Sequence, residues 1–328
     1  DARIILLCSG LAAGAALLLA PLVDRAHARA VVVMSALLLL ASAAGLLFPP
    51  DALQIEPSPY KALAFYQRNP DATLEAPRTN AYSRLDIVHS DTIHSAPGLS
   101  MAYLSAPPPE IGLLIDGDNL LPVLQDAATP TAFAEAMPAS IALALRDQPE
   151  MLVLGAGGGM DVWIARALGA ASVVAVEPNS LVTDALRHDL RAWSGLADDP
   201  RITLEHAEVR TYARNTGRRF DIVQLALTDA YRPVTSGAFT LTENYTYTVE
   251  GFQAYLDLLA EDGLLVVTRW LQTPPSEELR TLGLILAALD ASGAGHPAEH
   301  ILAFRTFQTV TFVIKASPLT QDEVELAL

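Results

Sequence analysis

Residues 151–161 read MLVLGAGGGMD, and the architecture of the chain turns on that stretch. Met151 to Leu154 form a short apolar run that breaks into glycines at Gly155, Gly157, Gly158 and Gly159. A helical pattern follows at once over 162–168. A second apolar run, 172–176, ends in Glu177, about twenty residues after the first glycine. Strand, glycine turn, helix, strand and acid in this order predict a nucleoside-binding βαβ unit. The glycines let a ligand approach the backbone, and a carboxylate at the next strand end can accept both ribose hydroxyls. No second glycine-rich turn follows, which argues against a dinucleotide. No Lys-Ser/Thr pair follows the glycines either, which excludes a P-loop. A sulfonium of the S-adenosylmethionine type, which carries no phosphate, is the remaining common user of this layout.

Beyond the unit, strand and helix patterns alternate to the end of the chain, at 181–193, 202–205, 209–214, 222–227, 252–259, 264–268 and 277–289. Two late strands fall near 301–305 and 310–314. Such alternation predicts an α/β fold with a Rossmann-like, doubly wound, methyltransferase-type sheet over 129–328, ending in an antiparallel strand pair. Just before the glycine turn, 131–146 carries a helical period with Phe133, Met137, Ile141 and Leu145 on one face. Short strands at 83–89, 99–104 and 111–115, separated by Pro, Gly and Asp/Asn turns, predict a small β domain over 51–128.

The front of the chain is different. Residues 4–23 and 30–48 are two apolar stretches of about twenty residues, each long enough to cross roughly 30 Å of hydrocarbon at about 1.5 Å per residue. The six-residue link DRAHAR at 24–29 permits only a helical hairpin, so 1–50 reads as two transmembrane helices placed in a lipid bilayer. A signal peptide is disfavoured by the second span and by a first segment flanked by Asp1 and Arg3. The absence of an initial Met marks a processed product or part of a longer membrane protein.

The 328 residues carry a net charge of −16, with Lys61 and Lys315 as the only lysines. The first fifty residues are slightly positive, through Arg3, Arg25 and Arg29 against Asp1 and Asp24, so the rest is strongly acidic. Nucleic acid is excluded as a partner, because phosphate binding needs a basic face. A cationic substrate suits that charge. Cys8, the only cysteine, falls in the first apolar span, so there is no disulfide and no cysteine metal site. His89 and His94 do not form a metal-ligand pattern, and no metal is expected.

The succession of β lobe, glycine turn, VEPN at 176–179, DPRI at 199–202, RRFDIV at 218–223, LTD at 227–229 and EDGLL at 261–265 resembles the polyamine aminopropyltransferases, the spermidine and spermine synthases. LTENYTYTVEGF at 241–252 is similar to their membrane-anchored, spermidine-synthase-like branch. The resemblance runs from about Tyr60 to Ile314. It implies that the glycine turn binds decarboxylated S-adenosylmethionine, that Glu177 holds its ribose and that Glu208, in AEVR at 207–210, reaches the adenine. It also implies that a strand-end pair of acids orients and deprotonates the attacking amine. Only the second acid is present, as Asp229; the first position is Ala226. The acid usual inside the glycine turn is replaced by Gly158, with Asp161 three residues later as a candidate substitute. The Gln that follows the β-lobe Tyr in the family is Ser83, after Tyr82, and a His-Glu pair is reduced to Ala134-Glu135. Asp116, in the DGDN turn at 116–119, lies where the family has substrate-facing residues. Tyr231, Tyr245 and Tyr247 are further candidates to line the cleft.

The nucleoside end of the motif set is thus intact and the amine end eroded. Three functions follow: a membrane-anchored transferase moving an aminopropyl or related alkyl group from a sulfonium nucleoside to a polyamine or other small amine; an S-adenosylmethionine-dependent methyltransferase; and a non-catalytic subunit of a membrane-protein complex. Arg25 and Arg29 in the short loop suggest a cytoplasmic loop and hence an external domain. Sulfonium nucleosides are cytoplasmic metabolites, and the soluble domain is expected there.

Overall fold

The computed structural model describes residues 2–22, 24–48, 58–229 and 245–327. Tyr231 and the first four residues of the 241–252 segment lie outside them. The chain divides into two compact units, Asp1–Pro59 and Tyr60–Leu328.

In the first unit, helix Ala2–Leu19, continued by a tight turn at Ala20–Leu22, packs along helix Arg25–Leu47. Small residues carry the contact: Gly45 abuts Leu6, and the Ser9 and Ser42 hydroxyls hydrogen-bond across the pair at 2.8 Å. Most of the large apolar side chains point outward, Leu11 and Leu18 among them. Both helices are long and apolar enough to cross a membrane.

In the second unit, two sheets share one body. The smaller contains β1 (Thr73–Leu74), β2 (Arg78–Thr79), β3 (Arg84–His89), β4 (Glu110–Ile115) and β5 (Asn119–Leu124), all paired antiparallel. The larger contains β6 (Glu150–Leu154), β7 (Ser172–Glu177), β8 (Ile202–His206), β9 (Phe220–Leu225), β10 (Leu259–Trp270), β11 (Ile301–Arg305) and β12 (Thr309–Lys315), in the order β11-β12-β10-β9-β6-β7-β8. Strands β6 to β10 run parallel, and β12 is antiparallel to both β10 and β11. This is the doubly wound sheet expected from the alternation, with the antiparallel pair at its end.

The apolar continuity of β6 has a direct cause: the strand is buried on both faces. Met151 and Val153 enter one core, with Phe133 and with Val162, Trp163 and Ile164 of helix Met160–Ala167. Leu152 and Leu154 enter the other, with Phe252, Tyr255, Ile285 and Leu289 from helices Val249–Leu256 and Glu277–Ala291. The small sheet buries Leu85, Ile87, Leu113 and Val123 against Val182, Leu186 and Leu190, which follow β7.

Three local expectations change. Residues 99–104 are turn and coil rather than strand. The helix over 131–146 is two short helices, Thr131–Glu135 and Ser140–Ala144, interrupted at Pro138, which has no amide hydrogen to continue the ladder. The helix over 181–193 is divided into Ser180–Asp184, a wide turn at Ala185–Asp189 and Arg191–Ser194.

The C-terminal helix Gln321–Ala327 is fastened through Glu323, which accepts from Arg146 at 2.7 Å and from the buried Lys315 at 3.1 Å. Burial alone would raise the Glu323 carboxyl, but hydrogen bonds from Thr320, Arg146 and Lys315 outweigh it and bring its pKa from 4.5 down to about 2. A carboxyl depressed on folding stabilises the protein above its unfolded pKa, and loses that contribution as pH falls through the folded one. Glu323→Gln is therefore expected to cost about 1–3 kcal/mol at pH 7. The gap to the parent should close between pH 4.5 and about 2 in thermal unfolding. An equal gap at both ends of that range would show that the carboxylate is not what holds the helix.

Candidate functional site

The glycine turn leaves β6 with Gly155, Gly157 and Gly159 at φ +70°, +53° and +84°, the left-handed region that side chains avoid. Gly157 is also sterically confined, since a Cβ there would lie 2.6 Å from the Thr228 methyl. Gly158 is confined more tightly. A Cβ at that position would lie 2.1 Å from the Pro122 carbonyl oxygen of β5. β5 is the edge of its sheet, where a proline is tolerated, and it seats its backbone directly on the turn. The acid usual at this position in the proteins the sequence resembles has no room here.

Glu177 ends β7 almost buried, and its two oxygens accept from the Gly157 and Asn179 amides, each at 2.8 Å. Burial pushes its carboxyl upward, and these two hydrogen bonds with nearby His206 oppose the shift. A carboxylate has about four acceptor positions, so the two ladder-like contacts leave capacity for ribose hydroxyls. Asn179 in turn binds the small sheet: its amide donates to Ser83 Oγ at 2.8 Å, and Asn80 donates to Asn179 Oδ1 at 3.0 Å. Ser83 is thereby a tie between the lobes. Glu208 caps helix Val209–Asn215, accepting from the Arg210 and Thr211 amides at 3.1 and 2.7 Å. Burial would raise its carboxyl, but Thr211 and Arg210 together hold it below the ordinary value.

Next to the turn, at the carboxyl ends of the parallel strands, is a cavity of about 230 Å³. Its wall comprises Ala156, Gly158, Met160 and Asp161 from the turn and helix, residues 226–229 after β9, Thr268 and Trp270 of β10, residues 118–122 of the small sheet and residues 137–139. Ligands in open α/β sheets bind at this end. Asp161 stands in the first turn of its helix, over the buried Gln224. Burial pushes the Asp161 carboxyl up to about 6, against a hydrogen bond from the Gln224 amide. Asp229 reaches the cavity from the β9 end, but Arg269 donates to its Oδ2 at 2.5 Å. Arg269 is itself buried, contacts Glu277 at 3.1 Å and lies 4.3 Å from the Tyr247 ring centroid.

The structure thus brings Gly158, Asp161 and Asp229 to one cavity, with Glu177 one contact away through Gly157. Glu208, Tyr82, Asp116 and Glu135 do not line it. Tyr82 is exposed on the turn between β2 and β3. Asp116, at φ +52°, forms the β4–β5 turn and accepts from the Arg84 amide, while its neighbours Asp118 and Asn119 reach the cavity. Glu135 is exposed beside Ser140 and Ile141. Tyr245 is exposed, and Tyr247 packs on Arg269. Gln224 and Arg269 were not anticipated, although each is a polar residue inside an apolar strand, which is the signal they offered. Among the described residues no group of three or more His, Cys, Asp or Glu is placed to hold a metal.

No protein-family model matches the chain, and no curated protein does. Solved structures do. Spermidine synthase from Thermotoga maritima matches at 17% identity and TM-score 0.50, over 76% of this chain and 75% of that one. A spermidine synthase in complex with the transition state analogue AdoDATO matches at 16% identity and TM-score 0.48, over 76% and 74%. A probable spermidine synthase from Corynebacterium glutamicum matches at 15% and 0.47, over 79% and 86%. The chain has the spermidine synthase fold.

The contact between β5 and the turn yields a direct test. Gly158→Ala should cost about 3 kcal/mol or more, because its Cβ meets backbone that cannot rotate away. Gly169→Ala, at a positive φ of +87° that Gly158 does not share and with open space around it, should cost only the backbone strain of about 1–2 kcal/mol. Equal unfolding temperatures for the two variants would mean that β5 does not press on the turn.

Proposed function

We propose that this chain is a sulfonium-nucleoside-dependent alkyltransferase, anchored in a bilayer by its N-terminal hairpin, that transfers an aminopropyl or related group to a small amine. What carries the reading is the cavity itself. It joins the glycine turn to the acidic segment after β9, at the end of the sheet where this fold places ligands. The donor nucleoside would lie along the turn, with Glu177 accepting from its ribose and Glu208 near its base. An amine has a pKa near 10, so about one molecule in a thousand is neutral at pH 7. The neutral nitrogen attacks the carbon attached to sulfur, the C–S bond breaks, and the neutral thioether departs. The new ammonium then releases its proton to water or to a carboxylate. Asp229, fixed by Arg269, keeps one oxygen with which to orient the amine. The outward leucines of the hairpin are what support the anchor, since water is a poor solvent for such a surface.

A second reading, a non-catalytic subunit of a membrane assembly, draws on two observations. Both Glu177 oxygens already accept from backbone amides, and Asp229 is matched by a buried arginine. Calorimetric titration of the detergent-solubilised chain separates the readings. Decarboxylated S-adenosylmethionine and methylthioadenosine are expected to bind, and Glu177→Gln should weaken both on the order of 10- to 100-fold. Preference for intact S-adenosylmethionine would redirect the assignment to methyl transfer. No binding of any of the three nucleosides would leave the non-catalytic subunit.

A further inference from the structure

Three carboxylates line the cavity, in unlike surroundings. Asp229 is matched by Arg269, and Asp118 stands on the exposed turn between β4 and β5. Asp161 lines the cavity half-buried, and no cation pairs with it among the described residues. Beneath it, Gln224 is only 1% exposed, on the face of β9 that also carries the cavity-lining Ala226. The Gln224 amide group stands beside the Asp161 carboxylate and favours its ionised form, and its Oε1 has no partner among the described residues. A half-buried carboxylate without a counter-charge is costly, and so is a buried amide oxygen without a donor. An ammonium in the cavity answers the first, because it brings a positive charge and donors to the carboxylate. The walls nearby, Met137, Pro138, Met160 and Leu227, are apolar and suit an alkyl chain. At about 230 Å³ the cavity is smaller than the 300 Å³ or so at which pockets begin to hold drug-sized ligands, so its occupant is small.

We propose that Asp161, held in place by Gln224, is the seat of the ammonium group of a small primary alkylamine. The assignment rests on the reading of this cavity as the acceptor end of an alkyl-transfer site. It moves the principal cation-binding acid from the strand end, where Ala226 stands, to the first turn of the helix. Asp161 touches the amine; Gln224 acts through Asp161 and is a positioning residue. The positive end of the helix dipole helps keep the carboxylate ionised.

The test is calorimetric titration of the detergent-solubilised full chain with 1,4-diaminobutane, butylamine and, as the uncharged probe, 1-butanol. The amines are expected to bind and the alcohol not. Asp161→Asn, which keeps the shape of the side chain, should weaken amine binding on the order of 10- to 100-fold, and Gln224→Met by up to about tenfold. Both variants should bind methylthioadenosine as the parent does. Should Asp161→Asn fail to fold, Gln224→Met carries the same comparison. Unchanged amine binding in the variants, with nucleoside binding intact, would overturn the assignment and leave the alkyltransferase reading standing. Amine binding that depends on Asp161 in a chain that binds no nucleoside would do the reverse. Failure of the parent to bind either amine would overturn the assignment outright.

Discussion

The backbone carbonyl of Pro122 occupies the space in which a side chain at residue 158 would begin, and much of the second unit is arranged around that contact. Because residue 158 is glycine, the edge strand of the small sheet can lie on the nucleotide turn itself. The approach is secured from three sides: by the shared apolar core of Leu113, Val123 and Leu186, by the Ser83–Asn179 hydrogen bond, and by Trp193 donating to the Val123 carbonyl at 2.9 Å. The two sheets are therefore one body, and the cavity between them takes part of its wall from the β5 backbone seated on the turn. The same contact evicts the turn's customary acid. A negative charge for that end of the cavity has to come from elsewhere, and Asp161, one helical turn on, is the nearest residue in sequence able to supply it.

Electrostatics distinguishes acids that look equivalent in one dimension. Glu177 and Glu208 are both held by backbone amides, yet the first is buried and pushed upward while the second, at a helix start and partly solvated, is drawn downward. Asp161 and Asp229 face the same cavity, but only Asp229 has a guanidinium beside it. A carboxylate already matched by a buried arginine contributes little net charge to its surroundings, so the field inside the cavity is set mainly by Asp161 and Asp118.

What could be read in the sequence was whatever depends on periodicity and spacing. The apolar runs of β6 and β7, the glycines between them and the acid at 177 specify a βαβ unit whatever the partners, and the structure has it. Pro138 shows the limit of periodicity: the apolar positions from Phe133 to Leu145 keep a helical repeat, but a missing amide hydrogen divides the helix. Long-range contacts left no local trace. Nothing near residue 158 announces that Pro122, thirty-six positions earlier, will sit on it, and nothing near Asp229 announces Arg269. Residues such as Tyr82 and Glu135, placed by resemblance alone, lie away from the cavity.

The position of the cavity follows from an asymmetry between the two faces of the large sheet. On one face β9, β10 and β12 present Val223, Leu225, Leu265, Val267, Phe312 and Ile314, all apolar and closed over by two helices. On the other face the alternate positions include Gln224, Thr268, Thr309 and Thr311, each buried. The Thr268 and Thr311 hydroxyls satisfy each other at 2.9 Å, which leaves the Gln224 oxygen as the unmet polar group of that face among the described residues. A strand at the centre of a sheet gains nothing in stability from such a residue, since an aliphatic side chain of the same volume would remove the unmet oxygen altogether. Its presence beside Asp161 is therefore better accounted for by the positioning of that carboxylate than by how the sheet packs.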